Sequence, residues 1–208
     1  IHLSGSRDNS LPTGAVSING VAQDGQSLTA TSTLADVDGL GAITYQWLRD
    51  GVATGSTGAS YVLSQADVGK KLTVQATYTD GFGTNEAVSS AATAPVANVN
   101  DAPTGGVAIS GTAQQGQTLT ATHTLADADG LGAITYQWLR NGSATGVSGA
   151  SYDLSATDVG AQMSVKAVYT DGFGTNEAVT SSTTAAITAL PNDVSSSVSY
   201  VMNATDRT

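Results

Sequence analysis

The chain has 208 residues, no cysteine, and 17 acidic against 7 basic side chains, for a formal net charge of −10. That balance leaves no basic patch to neutralise phosphates; it excludes nucleic acid and anionic membranes as partners and favours cations. No apolar run approaches the roughly 20 residues of a membrane-spanning helix, the first residues do not read as a secretory leader, and without disulfides stability must come from packing or metal.

Residues 1–11, opening IHLSGS, read as an end segment in strand form. From residue 12 onward apolar residues alternate with period two, the signature of half-buried strands. Val16 and Ile18 alternate before Gly20, and Leu28 and Ala30 alternate with Ser27, Thr29 and Thr31. Ile43, Tyr45 and Trp47 share one face against Thr44, Gln46 and Leu48. Asp50-Gly51 then supplies the positive backbone angles of a tight hairpin turn. Residues 52–60, rich in Gly, Ser and Thr, read as a loop. Tyr61 and Leu63 open another strand, and Leu72, Val74, Ala76 and Tyr78 give the cleanest alternation of the chain. Residues 81–83 turn into a last strand at 87–90. About seven strands with turns between them and no helical period predict an antiparallel β-sandwich. Trp47, in mid-strand, is expected as its buried central indole, with Tyr45 and Tyr78 on the same alternating faces.

The whole unit recurs 91 residues later. Residues 33–49 (TLADVDGLGAITYQWLR) return as 124–140 with Ala128 for Val37 as the only change, and YTDGFGTNEAV at 78–88 returns unchanged at 169–179. The organisation is therefore an end segment 1–11, one sandwich at 12–102, a second at 103–193, and an end segment 194–208 whose VSSSVSY reads as a strand. Each sandwich carries a charge near −5 (eight acids and three bases, then seven acids and two bases). Near-identical tandem units usually build length or a repeated surface.

Carboxylates are the candidate chemistry. Asp36 and Asp38 form a DxDG group, repeated as Asp127 and Asp129. In an extended loop, carboxylates at i and i+2 can converge on one hard cation while the glycine turns the backbone tightly around it. Asp80 and Glu86 flank the hairpin DGFGTNE, repeated as Asp171 and Glu177. Calcium wants six to eight oxygens, more than DxDG alone provides. The competing reading is that Asp and Asn cap turns through their own backbone and need no metal, as is expected of Asp67 and Asp158 in ADVG and TDVG. Enzyme chemistry fails on inventory. The two histidines are His2, in an end segment, and His123, which its twin replaces by Ser32; no Cys, no His–acid–Ser pattern and no phosphate-cradling loop with a lysine is present. His123 is expected to be an exposed strand residue.

The segments TLADxDGLGAITYQWLRDG, SQADVGKKLTVQATYTDG with its copy SATDVGAQMSVKAVYTDG, and the link Asn98-Val99-Asn100-Asp101-Ala102-Pro103 cover most of the chain. They resemble the bacterial immunoglobulin-like and cadherin-like repeat domains of large secreted adhesins, often ones that also carry glycine-rich nonapeptide (RTX-type) repeats. The nonapeptide motif itself does not occur in this sequence. The resemblance implies an all-β chain of two tandem immunoglobulin-like sandwiches with extended end strands, an extracellular or bacterial cell-surface location, and calcium at domain junctions. It adds Asn98, Asn100 and Asp101 to the candidate ligands, because the link is similar to the cadherin-type D-x-N-D-N-proline pattern. Here Asn98 replaces an Asp of that pattern and Ala102 its last Asn. The candidate set pairs Asp36 and Asp38 with Asp101 or a neighbouring loop, and the matching set in the second unit.

The reading that follows is a structural extender segment of a large extracellular adhesin, stiffened by calcium, with neighbouring repeats as partners. One alternative is a filament subunit joined by strand addition of its end segments. Another is a binding module for a host-surface protein or glycan, with residues 52–60 and 143–151, the most variable between units, as the contact loops.

Overall fold

The computed structural model of the chain describes residues 8–191. Of the expected end strands, 1–7 and 192–208 lie outside the described residues, and 8–11 form no strand. The chain divides into two compact units at the Asp101–Ala102 bond.

In unit 1 the alternating segments become β1 (Val16–Asn19), β2 (Ser27–Ser32), β3 (Thr44–Arg49), β4 (Val52–Thr57), β5 (Ser60–Val62), β6 (Leu72–Thr79) and β7 (Asn85–Ser89). They form two antiparallel sheets, β1-β2-β5 and β4-β3-β6-β7. Unit 2 repeats the arrangement with β8 (Val107–Ser110), β9 (Thr118–His123), β10 (Thr135–Arg140), β11 (Ser143–Ser148), β12 (Ser151–Asp153), β13 (Met163–Thr170) and β14 (Asn176–Thr180), in sheets β8-β9-β12 and β11-β10-β13-β14. Each unit is an immunoglobulin-like antiparallel sandwich. His123 is exposed on β9, as expected.

The inner faces follow the sequence alternation. Leu72, Val74, Ala76 and Tyr78 on β6 are all buried, and Trp47 on β3 lies opposite Val74. Trp47 is fully buried; its indole N–H donates to the Gly58 carbonyl at 3.0 Å and its ring stacks on Tyr61 at 5.5 Å. Trp138 makes the same bond to Gly149. The indole thus fills the core and satisfies the one polar atom it buries.

Residues 52–60 and 143–151 depart from the loop reading. Val52–Thr57 pairs with β3 as an edge strand, and the register shift between Gln46 and Leu48 marks a bulge on β4 that contains Gly55 (φ +84°). The bulge and the small residues break the period-two pattern, so the strand does not show in the sequence. Little of this segment remains as a variable loop for binding a ligand.

Asp67 does more than turn the chain. It closes a single 3-10 turn (Gln65–Asp67) before β6 and is fully buried. Arg49 on β3 pairs with its Oδ1 at 2.6 Å, the Tyr61 hydroxyl on β5 donates to the same oxygen at 3.0 Å, and the Ser64 backbone N–H and hydroxyl donate to Oδ2 at 2.9 and 3.0 Å. Arg49 belongs to one sheet and Tyr61 to the other, so one carboxylate ties both to the turn between β5 and β6. Burial pushes the Asp67 carboxyl up, but the Ser64 N–H, Arg49 and Tyr61 outweigh it and hold the group below the ordinary aspartate value of 3.8. Arg140, Tyr152, Ser155 and Asp158 repeat the knot in unit 2.

A carboxyl depressed in the folded state stabilises it above the unfolded-state value and loses that contribution as pH falls through the folded one. Arg49→Met leaves Asp67 buried without its cation and is expected to cost unit 1 about 3 kcal/mol at neutral pH. Urea unfolding followed from pH 7 down to about pH 2 checks this: the cost should shrink as pH falls and the buried Asp67 of the variant takes up a proton before that of the wild type does.

Candidate metal centre

Strand direction gathers four acids of unit 1, Asp36, Asp38, Asp80 and Glu86, at one end. The β2–β3 connection (33–43) carries Asp36 and Asp38, the β6–β7 hairpin carries Asp80, and Glu86 opens β7. Two glycines set the distance between these loops. The Gly81 N–H donates to the Asp38 carbonyl at 3.0 Å, and a Cβ on Gly81 would meet that oxygen at 2.4 Å. A Cβ on Gly41 would meet the Thr79 carbonyl at 2.1 Å. Any side chain at either position would push the loops apart.

One carboxylate oxygen from each of Asp36, Asp80 and Glu86 lies within 4.8 Å of the other two. Asp80 and Glu86 are buried and Asp36 is half-buried. Asp80 divides its labour. Its Oδ1 accepts the N–H groups of Phe82 at 2.9 Å and Thr84 at 2.7 Å, which is the turn-capping role the sequence offered as an alternative to metal. Its Oδ2 is buried and has no hydrogen-bond partner, in a residue only 6% exposed. Asp36 accepts the Asp38 N–H on Oδ1 at 2.8 Å and the Tyr78 hydroxyl on Oδ2 at 2.6 Å. The leading segment also reaches the cluster: the Asn9 amide donates to Glu86 Oε1 at 2.6 Å and the Ser10 N–H to Asp38 Oδ2 at 2.5 Å. Among the described residues, none of these four acids forms an ion pair.

Unit 2 carries the same residue types and most of the same bonds, but among the described residues only the unit 1 trio brings three carboxylate oxygens within 4.8 Å of one another. Tyr169 donates to Asp127 Oδ2 at 2.5 Å, and the Asp129 N–H donates to Asp127 Oδ1 at 2.9 Å. Asp171 Oδ1 caps its hairpin through Phe173 and Thr175, and Asp171 Oδ2 is buried without a hydrogen-bond partner. Asp129 is buried, and Glu177 opens the half-buried inner series of β14. Burial raises the Asp171 carboxyl, but the N–H groups of Thr175 and Phe173 more than offset it, so the group stays below the usual carboxylate range. Burial, the Asp36 carboxylate and the charges of Glu86 and Asp80 push the Tyr78 phenol upward, and Tyr169 is raised in the same way.

The remaining candidates sit elsewhere in unit 1. Val96 and Ala97 bridge to Val68 and Gln23, in the β5–β6 and β1–β2 connections. Asn98, Asn100 and Asp101 follow those bridges, at the end of unit 1 opposite Asp36 and Asp38, and the unit does not bring the two groups together. The Asn98 Oδ1 atom is buried without a hydrogen-bond partner. Sequence reasoning passed over Asn9, Ser10 and the role of Tyr78. The signal for Tyr78 lay in the alternation itself: Leu72, Val74, Ala76, Tyr78 and Asp80 are one inward-facing series, which delivers the phenol and the carboxylate to the same end of the core.

No protein-family model matches the chain, and a comparison with curated proteins finds no match either. Among solved structures it is similar to a 1.5-MDa bacterial ice-binding adhesin (16% identity, TM-score 0.35, covering 88% of this chain and 66% of that one). It is also similar to a Ca2+-stabilised ice-binding adhesin of an Antarctic bacterium (16% identity, TM-score 0.34, covering 88% and 50%). A third is the fibronectin(III)-like modules of Clostridium thermocellum CbhA (15% identity, TM-score 0.27, covering 84% and 94%). The chain spans less than two thirds of the length of the two adhesin structures.

The cluster makes a prediction that involves no cation. Asp80→Asn keeps the acceptor for Phe82 and Thr84, replaces the unpartnered oxygen by an amide N–H2 and removes one negative charge from beside Asp36 and Glu86. In EDTA it is expected to raise the stability of unit 1 by about 1 kcal/mol, measured by calorimetric unfolding.

Proposed function

We propose that the chain is an extender segment of a large extracellular bacterial adhesin, a non-catalytic spacer of immunoglobulin-like units that calcium stabilises at the acidic end of each sandwich. The observation that carries the calcium reading is Asp80 Oδ2. It is a buried carboxylate oxygen with no hydrogen-bond donor, on a residue whose carboxylate stands within 4.8 Å of those of Asp36 and Glu86, with no ion pair to this group among the described residues. A buried charge left in that state is costly unless a cation completes it.

The donor set fits a hard cation. All of the groups are carboxylate oxygens, with neither sulfur nor imidazole among them. Oxygens on opposite sides of a calcium ion, each about 2.4 Å from it, are about 4.8 Å apart, so the span of the three suits one calcium shell. Magnesium demands a tighter octahedron and keeps its water, which favours calcium here. Asp36, Asp80 and Glu86 would hold the ion, Asp38 would hold the leading segment against the cluster, and Asp127, Asp171 and Glu177 would take the matching roles. The ion would supply only charge neutralisation and cross-linking of the two loops and β7.

Support for the extender role comes from the repetition. The buried knot, the indole bond, the tyrosine–aspartate bond and the unpartnered oxygen all occur twice with the same partners. Repetition of this framework suits a chain selected for span and stiffness.

Calorimetric unfolding in EDTA, then in calcium, then in magnesium tests this reading. Calcium at about 100 times its dissociation constant should stabilise each occupied unit by about 2.7 kcal/mol, magnesium should do less, and Asp80→Asn with Asp171→Asn should abolish the effect. Equal melting in EDTA and calcium would overturn the metal reading. Stretched end to end in a force microscope, the chain should then give two unfolding events of similar length, each releasing roughly 300 Å of extended backbone. Calcium should raise both unfolding forces.

A further inference from the structure

We propose that Tyr78 is the positioning residue of the cation site in unit 1: its hydroxyl fixes the Asp36 carboxylate in the orientation that meets the other two acids. This inference rests on the calcium reading above.

The three carboxylates differ in how they are held. Asp80 is clamped by two backbone N–H groups of its own hairpin, and Glu86 stands on a strand paired with β6. Asp36 has no such support. It lies in the long connection between β2 and β3, outside any strand, and its Oδ1 is held only by the Asp38 N–H of the same loop. The bond that ties Asp36 to the strand framework is the Tyr78 hydroxyl, 42 residues away in sequence, donating to Oδ2 at 2.6 Å.

Tyr78 is suited to that task. Its ring is 4% exposed and belongs to the core cluster built on Leu72, Val74 and Ala76, so packing fixes the position of its hydroxyl. The hydroxyl occupies one lone pair on Oδ2 and leaves the others for an ion. Unit 2 repeats the contact across the same separation of 42 residues, at 2.5 Å. A ligand carboxylate on a loop, oriented by a donor from a rigid strand, is the usual way a protein fixes metal geometry, and loss of such a partner typically costs 10- to 100-fold in affinity.

The test uses the full 208-residue chain with Asp171→Asn, so that unit 1 alone titrates with calcium. Tyr78→Phe keeps the ring and removes only the donor. The expected result is a calcium affinity about 10- to 100-fold weaker by isothermal titration, with cation-free secondary structure unchanged by circular dichroism. A double-mutant cycle separates positioning from general loosening of the fold. If Tyr78 acts through Asp36, then Asp36→Asn and Asp36→Asn with Tyr78→Phe bind calcium equally weakly. Additive losses, or unchanged affinity in Tyr78→Phe, would overturn the proposal while leaving the calcium reading intact. Failure of the Asp171→Asn chain to bind calcium, with Tyr78 in place, would instead sink the calcium reading itself.

Discussion

Each sandwich buries carboxylates at both ends and treats them in opposite ways. At one end Asp67 is fully enclosed and receives an arginine, a phenol and two serine donors. Every lone pair that faces the protein has a partner, and the reward is a joint between the two sheets where the chain passes from β5 to β6. At the other end Asp36, Asp80 and Glu86 converge with no base among the described residues to answer them. The first arrangement is self-sufficient; the second leaves the Asp80 Oδ2 atom without a partner. The rest of the structure follows from that asymmetry. The closed end fixes β3, β5 and β6, and the framework so fixed carries Tyr78 and Asp80 to the open end.

Legibility in the sequence tracked the regularity of the strands. Alternation placed β6 and its inner face correctly, because a long strand with one buried side must repeat with period two. Trp47 was legible as core for the same reason. β4 was not, since Gly55 and its bulge interrupt the pattern and nothing on that edge strand is deeply buried. The ADVG turn before β6 was legible as a turn. Its aspartate was not legible as the centre of a buried ion pair, because Arg49 and Tyr61 are separated from it by 18 and 6 residues and no local pattern links them.

The acids were legible as a set, through the DxDG group and the hairpin that Asp80 and Glu86 flank. Which of them share a site was not. The sequence grouped Asp36 and Asp38 with Asp101, whereas the strand directions of unit 1 put Asp36 beside Asp80 and Glu86 and send the link to the far end. That result depends on how many strands lie between two loops, which spacing alone does not encode. The choice between turn cap and ligand also proves to be no choice. Asp80 caps with one oxygen and leaves the other unused.

The inner faces of the two units carry one further consequence. β3 and β10 have the same sequence, and the buried series they face differs at a single inward position, Leu72 against Met163. A β10 strand laid on β6 would meet Val74, Ala76 and Tyr78, much as it meets Val165, Ala167 and Tyr169 in its own unit. Packing therefore gives a newly made chain almost no means of rejecting a swapped partner, and neighbouring repeats of such likeness are prone to domain-swapped misassembly. What protects the chain is timing: the first sandwich can close while the second is still being synthesised. The order in which near-identical repeats leave the ribosome then becomes part of what keeps each strand in its own sandwich.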